Sequence, residues 1–442
     1  MKAYVKFFGV IALLAAASPS AAQTNAPAGQ AAARSFQLNA LQHAAIETDP
    51  RFRKLALEQS KTALELENIS ADWRPAIQAT ALGQYQSDVP TPPPFIPGGQ
   101  PLFLPPKSTV DAYVRVDQRI FDPTIGSRAA VERATLDENQ ARVRTELFAL
   151  RQQVSDAFFT AALLQERSSA LRATIDDFEA RLADAQARVR EGAALPSDAA
   201  IVEAALLQRQ QDQEQLRVDR TSALARLADL TGQSIGADDV LEVPDLRASV
   251  VEATRAAAPA RARPEYEQFS RMQERLARQQ DAATAQDRPR LSAFARGGLG
   301  RPGLNFISDE FEVYGLAGVQ LQWRIWNWGS TGREREALGI QQQIVAADEA
   351  AFSKSIRLST DTDHATIDRL QRTVSLDDRI VSLREDIARV AELKFHEGAI
   401  TSSDYVERST ELLQARFARS GHRVELAQAN ARLLTTLGLE TR

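Results

Sequence analysis

Few side chains in this 442-residue chain stand at spacings that support catalysis or metal binding. The four histidines, His43, His364, His396 and His422, never fall four apart, and there is no cysteine. Neither a helix-borne histidine pair nor a thiolate site is therefore expected, and no cofactor is implied. No nucleophile has a base at a motif spacing. Gly297-Gly298-Leu299-Gly300 ends a strand pattern without a helix after it, which is not a phosphate loop. An enzyme is not expected. A net charge of −5 supplies no surplus of cations for nucleic acid. What remains is electrostatic and conformational. Glu191-Gly192-Ala193 followed by Ser197-Asp198 recurs as Glu397-Gly398-Ala399 followed by Ser403-Asp404. Glycine then Ser-Asp suits a tight link between two helices, the serine as N-cap and the aspartate as a first-turn charge. Glu407 stands one helical turn beyond Asp404.

These clusters lie 206 residues apart, and that offset holds around them. Segment 191–232 aligns with 397–438 without a gap and agrees at 15 of 42 positions. Unrelated segments would agree at roughly 3 or 4. The chain thus reads as two repeats, 38–243 and 244–442. Each runs helix, two strands, a very long helix, a glycine turn and a returning helix. Leu171, Ile175, Phe178, Leu182, Ala185 and Val189 follow a 4-3-4-3-4 rhythm, and Leu376, Ile380, Leu383, Ile387 and Val390 follow 4-3-4-3. Both are coiled-coil seams. A helix over about 125–190 would be on the order of 100 Å long. The returning helices are expected to start at Ser197 and Ser403 and to end at Gly232 and Gly438.

The strands carry the membrane argument. Phe311, Val313, Gly315, Ala317, Val319, Leu321 and Trp323 share one parity, and Glu312, Tyr314, Leu316, Gly318, Gln320, Gln322 and Arg324 fall on the other. Val110, Ala112, Val114 and Val116 alternate likewise with Asp111, Tyr113, Arg115 and Asp117. Period 2 sends these sets to opposite faces. Partner strands are expected at about 76–86 and 289–300. Trp73, Phe121, Trp323, Trp326 and Trp328 gather at strand ends, as amphipathic rings do at a membrane interface. Residues 89–108 carry eight prolines and read as a stiff external loop without chemistry.

At the N-terminus, Lys2 and Lys6, an apolar run over 7–17 and Ser20-Ala21-Ala22 form a signal peptide, 1–22. A flexible segment, 23–37, follows. No later apolar run reaches the 18 residues of a spanning helix. Four strands cannot close a barrel, and lipid tolerates no open edge, so the sheet must be shared between chains. Two copies would give eight strands and three would give twelve.

Signal peptide, duplication, paired long strands, long helices and the two glycine turns together resemble the TolC family of outer-membrane efflux proteins, over about 36–440. The resemblance implies an α+β membrane protein: a homotrimer with a 12-stranded β-barrel in the outer membrane of a Gram-negative bacterium, four strands per chain. A long α-helical barrel would continue it through the periplasm. It implies a channel-tunnel for efflux or type I secretion, with outer-membrane lipid, a periplasmic adaptor and an inner-membrane transporter as partners. Residue by residue, Gly192 and Gly398 match the family's turn glycines, and Asp198 and Asp404 match the aspartate after the turn. With Ser197 and Ser403 they would form the adaptor-docking turns. Asp404 and Glu407 would line the periplasmic aperture as acidic rings. Where the family's best-known member closes its gate with a Tyr and an Arg, this chain has Phe395 and Ile400. A structural coiled-coil spacer or adhesin is the competing reading. It would need the same heptads, but neither paired long strands nor an acidic mouth.

Overall fold

The computed structural model describes residues 34–90, 105–255, 262–304 and 309–441. The signal segment 1–22 and residues 91–104 of the proline-rich stretch lie outside the described residues. In chain order the elements are β1 (Ser35–Gln37), α1 (Leu38–Thr48), α2 (Phe52–Ala71), β2 (Ala76–Tyr85), β3 (Ser108–Phe121), α3 (Pro123–Arg190) and α4 (Pro196–Thr231). Then come β4 (Val240–Glu242), α5 (Arg247–Arg255), α6 (Pro264–Ala285), β5 (Arg290–Arg301), β6 (Glu312–Gln322), α7 (Ser330–His396) and α8 (Ser402–Leu437).

Four strands form one antiparallel sheet in the order β2-β3-β5-β6, which leaves β2 and β6 as its two unpaired edges. Alternation sorts the side chains as the sequence pattern requires. On one face Ile77, Val110, Val114, Val313, Val319 and Leu321 are all exposed. On the other, Arg296 donates to Asp111 at 2.8 Å and to the Tyr314 hydroxyl at 3.0 Å, while its guanidinium stacks 4.0 Å from the Tyr113 ring centroid. Gly298 sits in register between Tyr113 and Tyr314. A Cβ there would lie 2.6 Å from the Ala112 carbonyl oxygen, so glycine is required for the close approach. Polar groups thus satisfy one another across three strands on one face, and the opposite face is bare apolar surface.

Beyond the sheet the helices lie side by side. Near the sheet the order is α2-α3-α6-α7, and farther away it is α4-α3-α8-α7. At 68 residues, α3 runs on the order of 100 Å. It starts cleanly because Asp122 accepts from the Thr124 amide at 3.0 Å and Pro123 takes the first helical position. Around its middle a core gathers Phe158 and Phe159 with Leu38, Leu227, Leu370 and Leu433. A second core near the far end holds Phe178, Val202, Phe395 and Tyr405. Gly232 and Gly438 close α4 and α8 in the left-handed conformation. No helix among the described residues is long and apolar enough to cross a membrane.

Two expectations need correction, and the α7 seam finds no partner among the described residues. Residues 34–37 of the segment expected to be flexible are held in place: β1 pairs in parallel with β4, and Arg34 grips Asp239 at 2.9 Å. The N-caps are Leu195 and Thr401, two residues before Ser197 and Ser403. Pro196 opens α4 early because its fixed φ suits a first helical turn. The seam Leu376, Ile380, Leu383, Ile387 and Val390 does not pack inside the chain, where every one of its members is exposed. The buried stripe of α7 is Ile367, Leu370, Asp377, Val381 and Phe395. Asp377 holds its place there through His422, at 2.6 Å.

The Arg34–Asp239 staple makes a pH-dependent prediction. Hydrogen bonding from Arg34, aided by the Gly236 amide, pulls the Asp239 carboxyl down to about 2. A folded value below the unfolded one contributes stability above about pH 4 that is lost as pH falls towards 2. Because Arg34 is half exposed, the contribution is set at about 1 kcal/mol. Asp239→Asn should lower the thermal midpoint at pH 7, and its deficit against wild type should shrink between pH 4 and pH 2. A deficit constant across that window would refute the linkage.

Candidate functional site: the paired helix turns

The α3–α4 and α7–α8 links have the same backbone geometry. Gly192 and Gly398 both take φ of +73°, the left-handed region that only glycine enters without strain. The Ala193 amide donates to the Arg188 carbonyl at 2.8 Å, and the Ala399 amide donates to Lys394 at 2.7 Å. This is the six-residue return that ends a helix at glycine. Beyond each glycine the aspartate reaches back. Asp198 accepts from the Leu195 amide at 3.1 Å. Asp404 accepts from the Thr401 amide at 3.1 Å and from its hydroxyl at 2.8 Å, and the Thr401 oxygen in turn accepts from the Asp404 amide. Only the second turn completes a capping box, because Leu195 has no side-chain acceptor. The Thr401 hydroxyl, then its amide, hold the Asp404 carboxyl below the usual carboxylate range. Asp404 therefore remains an exposed anion. Glu407 is exposed as well, but Arg408 lies 3.8 Å away and reaches Glu411 at 3.0 Å, so the acidic charge beside the turn is partly offset by a cation.

Phe395 and Ile400 do not present free side chains at the turn. Phe395 is 7% exposed and stacks on Tyr405, with centroids 5.0 Å apart and planes 17° from parallel. Ile400 packs against the same core. Tyr405, which the sequence reading passed over, is the centre of this end of the molecule. Its ring is 2% exposed and meets Phe178 edge-on at 6.2 Å. Its hydroxyl donates to Asp177 of α3. Burial, followed by that carboxylate, pushes the Tyr405 hydroxyl far above its ordinary value, so it stays a donor at any physiological pH. Two further ties run beside it. Arg181 pairs with Glu392 of α7, and Arg188 donates to the Phe395 and His396 carbonyls at the end of α7. Those last-turn carbonyls lack a full set of helical partners and sit at the negative end of the dipole, so a guanidinium suits them twice over. One helical hairpin is thus fastened to the other by Tyr405–Asp177, Arg181–Glu392 and Arg188 on the α7 terminus.

At the sheet's helix-facing end stand the five aromatic residues. Trp73 precedes β2, Phe121 closes β3 and Trp323 follows β6, with exposures between 43% and 56%. Trp326 and Trp328 are 73% and 80% exposed and pack edge-to-face at 5.9 Å. The opposite end carries Tyr85 and Phe311, also exposed. The strands between these aromatic sets are 10–14 residues long, enough to cross a hydrocarbon layer. Among the described residues no group of His, Cys, Asp and Glu is placed to hold a metal ion.

Comparison with known proteins agrees with this architecture. Residues 41–233 match the family model of outer membrane efflux proteins. The outer membrane protein VceC of Vibrio cholerae is similar in structure at 14% identity, covering 92% of this chain and 97% of its own, with a TM-score of 0.63. The open-state MtrE outer membrane channel of Neisseria gonorrhoeae gives 16% identity, 92% and 90% coverage and a TM-score of 0.63. The CmeC outer membrane channel of Campylobacter jejuni gives 11%, 91% and 86%, again at 0.63. At such identities the likeness is one of fold. No curated protein matches the sequence significantly.

Proposed function

Residues 41–233 match the outer membrane efflux protein model and the chain shares the fold of outer-membrane channels; we propose that it is an outer membrane efflux protein of the TolC-like kind, a trimeric conduit that carries cargo passively across the periplasm and outer membrane. The observation that carries this reading is the sheet. It has an apolar exposed face, two unpaired edges at β2 and β6, and nothing among the described residues to cover either. Four strands per chain make twelve in a trimer, and joining β6 of one copy to β2 of the next removes every edge. The helices support the same closure. The exposed α7 seam lies on the β6 side, and α2 and α4, with Leu57, Leu64, Leu207 and Val218 exposed, lie on the β2 side. Around the threefold axis, α7 of one copy would meet α2 and α4 of its neighbour.

In this reading the aromatic residues seat the barrel in outer-membrane lipid. The turns at Gly192–Asp198 and Gly398–Asp404 point into the periplasm, where a periplasmic adaptor linked to an inner-membrane transporter would dock. Asp404 and Glu407 ring the aperture, and the three ties around Tyr405 hold it shut. Energy would come from the transporter.

Single-channel recording on purified full-length protein in planar bilayers tests the reading. Small cation-preferring steps are expected, with the preference weakened in Asp404→Ala/Glu407→Ala. Folded trimers that never conduct would hand the case to a structural spacer.

A further inference from the structure

Closing the sheet with further copies leaves one quantity open, the register of β6 on the neighbour's β2, and the sheet's own geometry restricts it. Inside the protomer the rows run straight across the strands: Ala76 stands opposite Asp117, Asp117 opposite Phe294, and Phe294 opposite Gly318. The strand ends do not follow those rows. The row from Ala76 meets β6 four residues before its inner end at Gln322. The row from Glu312, at the outer end of β6, passes Gly300 and Asp111 and reaches β2 at Leu82, three residues short of Tyr85. Strands displaced along one another in a constant sense are tilted, as a barrel requires. Carried across the fourth junction, the same drift gives an offset of roughly four to six residues between β6 and the next β2.

Two constraints sharpen that number. Threefold symmetry makes the offset at each junction the same whole number. Side-chain alternation makes it even, because an odd offset would set the apolar residues of β6 beside the polar residues of β2. Four and six remain, with strand tilts of about 35° and about 46° in a 12-stranded barrel, at the two ends of the usual range. Side chains choose between them. An offset of four sets Gly315 against Gly83, and neither has an atom of the described residues within 4 Å of where a Cβ would stand, so the apolar face would carry a gap. It also sets Leu316 against Leu82 on the polar face. An offset of six sets Tyr85, 72% exposed, against Gly315. Leu82 then stands beside Gly318, over which the Phe294 ring lies, and Thr80 meets Gln320. Large beside small, and aromatic beside an edge glycine, is the pairing that stabilises strands. We infer that β6 joins the β2 of the next copy at the offset of six, with Gln320 opposite Thr80 and Tyr85 over Gly315. This register rests on the trimeric reading above and adds the contact by which one copy recognises the next.

The chain has no cysteine, so introduced pairs report the register without competition. In assembled full-length protein, Thr80→Cys/Gln320→Cys should give covalent trimers on mild oxidation, and Tyr85→Cys/Gly315→Cys should do the same from the opposite face. Gln78→Cys/Gln320→Cys, which fits an offset of four, should give on the order of tenfold less, because a slip of two residues carries the Cα atoms beyond the roughly 7 Å that a disulfide spans. Within one chain β2 and β6 stand three strand spacings apart, about 14 Å, so each bridge must join two copies. Reversed yields, with the Gln78/Gln320 pair bridging best, would overturn the register and leave the trimer standing. Bridging by no pair, in protein that light scattering shows to be trimeric, would overturn the β6–β2 contact itself. A folded chain that stays monomeric would remove the trimeric reading, and the register with it.

Discussion

Replacing Tyr405 by Phe together with Arg181 by Ser should convert rare, small conductance steps into large and persistent ones. Phenylalanine keeps the stack on Phe395 and the edge contact with Phe178, so the far core stays packed. What it removes is the hydroxyl that Asp177 accepts, while the serine removes the cation from Glu392. A hydrogen bond to a charged group is worth about 1.5–3 kcal/mol, and the Arg181–Glu392 pair, partly exposed, contributes less. Taken together the loss is about 3 kcal/mol per protomer, which shifts a closed-to-open ratio on the order of a hundredfold. Three protomers acting together would enlarge it further. Single-channel recording reads the open fraction directly. An unchanged open fraction in correctly assembled protein would show that these ties are structural only, and that the constriction is set elsewhere.

The second large effect concerns assembly. Leu383→Glu with Ile387→Glu should leave a folded chain that no longer trimerises. Both side chains are more than 40% exposed in the single chain, so neither belongs to a core that the change could disrupt. In the proposed interface both become buried. Each substitution then forfeits about 1.5–3 kcal/mol of apolar burial and places an unpaired carboxylate in a dry seam. Size-exclusion chromatography with light scattering, alongside circular dichroism, separates the outcomes. Loss of helix content would mean that the seam serves the protomer, and a trimer of wild-type stability would place the interface on another face.

The positions of these residues explain what a reader of the sequence could and could not recover. Strand parity was legible because Val313, Val319 and Leu321 alternate with Tyr314 and Gln320, and period 2 admits one interpretation. The glycine turns were legible too, since Gly192 and Gly398 recur with the same followers. The ties around Tyr405 were not. Asp177, Arg181, Asp184 and Arg188 repeat with the same 4-3-4 rhythm as the seam residues Phe178, Leu182, Ala185 and Val189, each one position earlier. Charged residues flanking a seam look like a solvated face, and only the approach of α7 and α8 turns them inward. Asp377 misled in the opposite sense. Its polar identity masks a buried stripe, and the apolar stripe one position away faces outward, where the proposed trimer would cover it with another copy. Periodicity reports that a face is covered, and it does not say by which chain.

Every residue of β2 is exposed, and the sheet it borders has no interior of its own. The helices, by contrast, pack two cores without help from a neighbour. The order of biogenesis follows. A newly exported chain can complete its helical body as a single molecule in the aqueous compartment, while its strands stay adhesive and unfinished. In the proposed trimer barrel closure would be the last event and would coincide with insertion, because the same step that pairs β6 with a neighbour's β2 presents a continuous apolar belt to lipid. Any copy that waits too long for its companions offers two bare edges and a greasy face to whatever is nearby.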